Sequence, residues 1–441
     1  MKATILRKAI FVFIFCFSCT TVFSLNIFDD NFFREDSASY LENNKNSNNL
    51  VNDYQLEFIH RSIKQYQNIG GLCEFHFLRN NFFNPGFDIY QDYHLNSKTF
   101  SHRLLSNYFS QLKYLLGTRK EQIISVNHQQ KLWKGLSTGF IYRGIASPGF
   151  YKRQFNNIRN FKAYLNFYSA NEKYDISFIY FANKSIAQEN GGIVADSLLS
   201  VYKGQERSIN VNLNGAEHRI RSRGYTLYQT YNFMNGNYND SLKRDSLARP
   251  FIGFEQATEF SRQSFVYSDM QTNSDYYSNS FLSDSLTNDS ISFQKTSFDL
   301  YFLASEIPLF KKKNRIKMRF KLGVELNYYK SNQYNVSDTS FSANSADVSV
   351  GFYDKEKSSF TTIFKKDLES NNGGSYISYS KFVYRFSNIF SKVGADYRNQ
   401  VIPAEYISEY LYSNHFIWRN NFDNRKESYF RIFAGFFKTG K

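Results

Sequence analysis

The stretch 316–328 reads IKMRFKLGVELNY. Ile316, Met318, Phe320, Leu322, Val324, Leu326 and Tyr328 share one parity, while Lys317, Arg319, Lys321, Gly323, Glu325 and Asn327 share the other. Strict period two puts these sets on opposite faces of one β-strand. A strand in a soluble domain usually runs about 5–6 residues, whereas a tilted membrane-spanning strand takes about 9–11. The length of this run, with one face apolar and the other charged, favours the membrane strand.

The same pattern recurs on both sides. Phe161, Ala163, Leu165 and Phe167 alternate with Asn160, Lys162 and Asn166, and Tyr174, Ile176, Phe178, Tyr180 and Ala182 with Asp175 and Ser177. Ile209, Val211 and Leu213, then Tyr225, Leu227, Tyr231 and Phe233, continue the alternation, as do Phe298 to Ala304, Phe382 to Phe386 and Phe430 to Phe436. Short connectors are expected near 130–134, 169–173, 214–223, 261–263, 305–315, 354–357, 387–390 and 422–426. Longer ones are expected near 144–157, 184–206, 234–249, 270–293, 330–345, 366–374 and 401–410. Outer-membrane barrels pair short periplasmic turns with longer external loops, and place aromatic girdles at both interfaces. The reading is therefore all-β: a transmembrane antiparallel up-and-down β-barrel of about 16–20 strands. About 17 strands follow residue 108, with two more at 70–78 and 87–95. An odd count leaves the closing strand or strands missing, so the chain is expected to be incomplete at its C-terminus.

Composition agrees. Phe (47) and Tyr (34) bring the aromatic share to 19%, which excludes a disordered chain. Three cysteines exclude a disulfide scaffold. Residues 1–24 read as a secretory signal: Lys2, Arg7 and Lys8 precede an apolar run from Ala9 to Ser18 that is too short to span as a helix. Its removal takes Cys16 and Cys19, leaves Cys73 alone, and lowers the net charge from +15 to +12. Residues 25–65 are read as a flexible periplasmic segment and 66–441 as the barrel.

The segment 108–155, YFSQLKYLLGTRKEQIISVNHQQKLWKGLSTGFIYRGIASPGFYKRQF, is followed by ENGGIVADSLL at 189–199 and SINVNLNGAEHRIRSRGYTLYQTYNF at 208–233. IPAEY follows at 402–406 and YSNHFIWRNNF at 412–422. Together these resemble the putative porin family of Bacteroidetes outer membranes, over most of the chain from about residue 65. The resemblance implies an outer-membrane barrel forming a pore. It carries no substrate residues across.

Parity gives the residues expected to face the lumen. The basic ones are Arg143, Lys162, Lys295, Lys317, Arg319, Lys321, Lys381, Arg385, Lys392, Arg398, Arg419 and Arg431; the acidic ones are Asp175, Glu255, Glu259, Asp299, Glu325, Asp347 and Asp396. An excess of Lys and Arg lining a pore favours anions, so the expected function is passive diffusion of small solutes with weak anion preference. The competing expectations are that these charges pair with one another, or that some sit at the rim and bind lipopolysaccharide. The alternative function is a structural or surface-interaction barrel with a plugged lumen. The run Lys311, Lys312, Lys313, Arg315 falls in a short connector and reads as a solvated turn rather than a nucleic-acid patch. The seven histidines are scattered, and no catalytic, metal or cofactor site is expected. The expected partners are outer-membrane lipid, lipopolysaccharide and small solutes, in an outer membrane reached by export; the oligomeric state is left open.

Overall fold

Alternating sequences of this kind pair with their neighbours in order, and they do so here. A computed structural model describes residues 82–86, 93–97 and 108–436, apart from stretches within connectors of which 235–250 is the longest. The expected leader at 1–24, the segment 25–65, the strand at 70–78 and the basic run 311–315 lie outside the described residues.

The strands are β1 (Tyr108–Leu116), β2 (Gln122–Trp133), β3 (Leu136–Ser147), β4 (Asn156–Tyr168), β5 (Tyr174–Gln188) and β6 (Ala216–Asn232). Then come β7 (Phe251–Asp269), β8 (Thr287–Pro308), β9 (Ile316–Gln333), β10 (Thr339–Ser342), β11 (Ser345–Asp354) and β12 (Ser358–Asp367). The last are β13 (Tyr376–Tyr384), β14 (Phe390–Ile402), β15 (Tyr410–Tyr412), β16 (Ile417–Arg419) and β17 (Arg425–Phe436). Fifteen of them form one sheet, ordered β1 to β9, then β11 to β14, then β17, with β10 attached to β9. Every pairing is antiparallel. Among the described residues β1 and β17 are the two ends of this order. The central strands are long, with 19 residues in β7, 22 in β8 and 18 in β9, beyond the about 9–11 that cross a bilayer.

Several expectations are corrected. No turn interrupts 216–223 or 261–263, because 216–232 and 251–269 are each one continuous strand. The connector 234–249 therefore moves to the end of the sheet that carries the tight turns 134–135 and 169–173. Ile209, Val211 and Leu213 are buried in the connector 189–215, bridged only at Ile193–Val211, rather than in a barrel strand. Their alternation reflects a loop packing its own apolar residues. Tyr93 to Ser97 are not in strand conformation, so 87–95 is not a full strand; 87–92 lie outside the described residues. Arg419 belongs to the separate two-stranded β15–β16 hairpin within the β14–β17 connector, not to the barrel wall.

Burial follows parity. On β9, Leu322, Val324, Leu326 and Tyr328 are exposed, whereas Lys321, Glu325, Asn327 and Tyr329 are buried. On β4, Phe161, Leu165 and Phe167 are exposed opposite buried Asn160, Lys162 and Asn166. Exposed rows of Leu, Phe and Val opposite buried lysine and glutamate invert the arrangement of a water-soluble protein. The arrangement suits a sheet whose outer surface meets lipid.

Candidate functional site

The buried polar face carries a network across the middle of the sheet. Register brings Tyr301 of β8 opposite Glu255 of β7 on one side and Gly323 of β9 on the other. A Cβ at Gly323 would lie 2.2 Å from the Tyr301 ring, so this break in the charged row of β9 is the seat of that ring. Lys321 places its Nζ 3.5 Å from the Tyr301 ring centroid and 3.2 Å from Glu255 Oε1. The Tyr228 hydroxyl donates to Glu255 Oε2 at 2.8 Å, and the Tyr301 hydroxyl donates to Glu325 Oε1 at 2.6 Å. Lys365 of β12 completes the group, with its Nζ 2.6 Å from Glu325 Oε2. Lys295 stands 4.0 Å from Glu259. Lys321, Lys365, Glu255 and Glu325 are tolerated at this depth because each is paired and hydrogen-bonded.

The expected basic residues are placed as follows. Lys162, Lys295, Lys321 and Arg398 lie on the buried face or beside its carboxylates. Arg143, Lys317, Arg319 and Lys381 share its parity at intermediate exposure, and Arg319 sits 4.4 Å over the Tyr353 ring. Arg431 of β17 reaches Asp396 of β14 at 2.7 Å. Arg385 follows the end of β13, Arg419 is in the hairpin, and the Lys392 side chain lies outside the described ones. Lys365 was missed, although its parity opposite Phe360 and Phe364 marked it.

The inner face also holds part of its own chain. Asn183 of β5 accepts from the Leu95 N–H at 3.0 Å and donates to the Leu95 carbonyl at 2.8 Å. Asn160 donates to the Tyr93 carbonyl at 2.5 Å, Lys162 to the Asn96 carbonyl at 2.7 Å, and His94 contacts Ser185 Oγ at 2.8 Å. Tyr93 packs on Ile123, Ile145, Ile158 and Ile220. Further back, Phe82 packs on Ile377 and Ile402, while Phe83 sits 4.2 Å from the Tyr329 ring and 4.7 Å from that of Phe341.

The loop-bearing end is crossed by the β14–β17 connector. Asn414 accepts from the N–H groups of Leu282 and Ser283, and its own N–H donates to Asp289 at 2.7 Å. His415 stacks on Tyr277 with centroids 3.7 Å apart, and contacts Thr287 Oγ1 and the Asn279 carbonyl, each at 2.7 Å. Burial pushes the Tyr277 hydroxyl up to about 12, which keeps it neutral beside its Tyr267 partner. His415, one of the scattered histidines, is thus a tether between two loops.

A buried polar face opposite an apolar exposed face is the pattern of an outer-membrane β-barrel. A family profile described as "Putative porin" matches residues 26–439. The chain belongs to that family. No curated protein matches it. Among solved structures, the ferric preacinetobactin receptor BauA of Acinetobacter baumannii is similar at 11% identity and TM-score 0.44, covering 74% of this chain and 52% of that one. The ferric yersiniabactin uptake receptor FyuA of Yersinia pestis is similar at 12% identity and TM-score 0.44, with 74% and 50% covered. The RagAB peptide transporter is similar at 11% identity and TM-score 0.41, with 72% and 43% covered. This chain thus spans about half the length of the receptors it matches.

Proposed function

We propose that the protein is an outer-membrane channel through which small solutes diffuse passively along the polar face of the sheet. The observation that supports this most is the parity of β4, β7, β8 and β9, which turns lysine, glutamate and asparagine inward and phenylalanine, leucine and valine outward. Strong ion selectivity is not part of the reading. Buried Lys162, Lys321, Lys365 and Arg398 stand with buried Glu255, Glu259, Asp299, Glu325, Asp347 and Asp396 on the same face. The weak anion preference suggested by counting basic residues is offset by these carboxylates. Rings of charge select when one sign dominates.

A second reading, a barrel without an open pore, is favoured by one observation: residues 82–86 and 93–97 lie on the inner face. Planar-bilayer recording separates the two. Discrete conductance steps with a reversal potential near zero in a salt gradient support the channel with paired charges. A strong shift toward the anion or cation potential overturns the pairing argument. A folded barrel that never conducts favours the second reading.

Export through a leader at residues 1–24, contact of the outer rows with lipid and lipopolysaccharide, and the lack of an enzymatic role belong to the same proposal.

A further inference from the structure

The outer face of β4 to β7 changes character part-way along the strands. Its apolar rows end in a girdle. Tyr180 of β5, Tyr225 of β6 and Phe260 of β7 stand side by side in register, and the Phe161 ring of β4 lies 6.4 Å from that of Tyr180. Aromatic rows of this kind mark a membrane interface. Beyond the girdle, toward the end that carries the connectors 189–215, 270–286 and 403–424, the same outward parity turns basic. Arg159, Lys184 and Arg221 are consecutive register partners across β4, β5 and β6. Arg223 and Arg262 are partners across β6 and β7, two residues nearer the girdle. The four arginines are exposed and Lys184 is half-buried. Longer loops of such barrels lie outside the cell, which sets this basic band at the outer leaflet.

The band is unfavourable by itself. Like charges directly opposite on paired strands repel, and the register makes three such pairs: Arg159 with Lys184, Lys184 with Arg221, and Arg223 with Arg262. The chain does not offset them with acids. Among the described residues, the outward positions beyond the girdle on these four strands hold one carboxylate, Glu217, and Arg219 pairs with it. Arg262 donates to the neutral Ser292 hydroxyl at 3.5 Å. The flanking strands present Gly144 opposite Arg159 and Gln294 opposite Arg262. Strands lie about 4.8 Å apart and outward positions about 7 Å apart, so the five cations share a patch about 10–15 Å wide. Guanidinium groups hold phosphate oxygens two at a time. An anion set at headgroup level would relieve all three repulsions together.

We propose that Arg159, Lys184, Arg221, Arg223 and Arg262 form a binding site for the phosphate groups of a phosphorylated glycolipid of the outer leaflet, with the Tyr180–Tyr225–Phe260 row beside its acyl chains. The proposal rests on the lipid-contact reading above and gives it a location. Purified full-length protein in detergent is titrated with bisphosphorylated lipid A, and with the same lipid A enzymatically stripped of phosphate; bound lipid is counted by native mass spectrometry. Each cation near an anionic surface is worth about fivefold in affinity. Arg221→Gln with Arg223→Gln should therefore weaken the phosphorylated lipid about thirtyfold and leave the stripped lipid unchanged. Arg221→Lys with Arg223→Lys, which keeps the charge, should recover most of the loss. Lys131→Gln with Lys134→Gln, exposed at the opposite end of the sheet, should bind as the parent does. Parent affinity in the Arg221→Gln, Arg223→Gln protein, or an equal loss in the Lys131→Gln, Lys134→Gln control, overturns the site. Displacement of the lipid by inorganic phosphate, but not by chloride at the same ionic strength, overturns its assignment to a lipid. A parent that holds both lipids equally refutes the phosphate site and leaves the lipid-contact reading standing. A parent that holds neither refutes that reading itself.

Discussion

Lys365→Met removes the closest ion pair of the buried network described above. The Lys365 and Glu325 side chains are each 2% exposed, with Nζ and Oε2 2.6 Å apart. At an effective dielectric of about 20, that separation corresponds to a gross attraction of about 6 kcal/mol. The cost of desolvating both ions cancels much of it, yet removing one partner of such a pair costs about 3–5 kcal/mol because the other stays buried. Glu325→Gln keeps an acceptor for the Tyr301 hydroxyl and leaves one ammonium without its carboxylate. Lys365→Met leaves Glu325 without its cation beside Asp347, which lies opposite Lys365 in register, so it should cost more. The double variant, free of both charges, should lose only about 1–2 kcal/mol, a coupling that a double-mutant cycle isolates. Urea unfolding in lipid vesicles, followed by the fluorescence of Trp133 and Trp418, measures all three. Single variants within about 1 kcal/mol of the parent, or losses that simply add, would refute the claim that these charges are held as pairs.

Three further outcomes follow from the same geometry. Val324→Arg, on the exposed row of β9, should cost about 2–4 kcal/mol if the row lies near the bilayer midplane, and little in a protein facing water. His415→Ala removes the stack on Tyr277 and both loop contacts, and should speed limited proteolysis between residues 270 and 286 without altering the barrel's heat-modifiable mobility. Burial lowers His94 to about 4 from an ordinary 6.5, so the docked segment favours the neutral ring. Docking is then at full strength above pH 6.5, weakens as pH falls from 6.5 to 4, and loses no more than about 3 kcal/mol. Crosslinking yield between a cysteine at position 96 and one on the β4 wall, with His94 intact, should decline across that interval; in His94→Gln it should stay flat.

The sheet was legible because a membrane strand writes its two environments into alternate residues. Leu322, Val324 and Leu326 against Lys321 and Glu325 required no knowledge of any other strand. Length was less legible. Tyr225 to Phe233 were read as a strand of their own because the polar run Glu217 to Arg223 hid the start of β6, and the reading split β7 at Ser261 to Gln263. In a strand that outruns the bilayer, apolar character fades at the ends while the hydrogen-bond ladder continues. Ile209 to Leu213 show the converse, a period of two produced by loop packing. Lys365 was overlooked because Lys366 beside it blurs the parity, and only Phe360 and Phe364 fix which lysine turns inward. In the docked segment the pattern pointed to a strand at 87–95, which Tyr93 to Ser97 do not form. Phe82, Phe83 and Leu95 find partners far along the chain, so their placement is a tertiary fact that local pattern does not encode.

The central claim is that the exposed rows face lipid and the charged rows face an interior. Single cysteines placed one at a time from Phe320 to Tyr328, in a Cys73→Ser background, spin-labelled and reconstituted in vesicles, test it directly. The account predicts oxygen accessibility that peaks at 320, 322, 324, 326 and 328 and falls between them. An accessibility profile without period two, or a water-soluble relaxant reaching 322, 324 and 326, would contradict it.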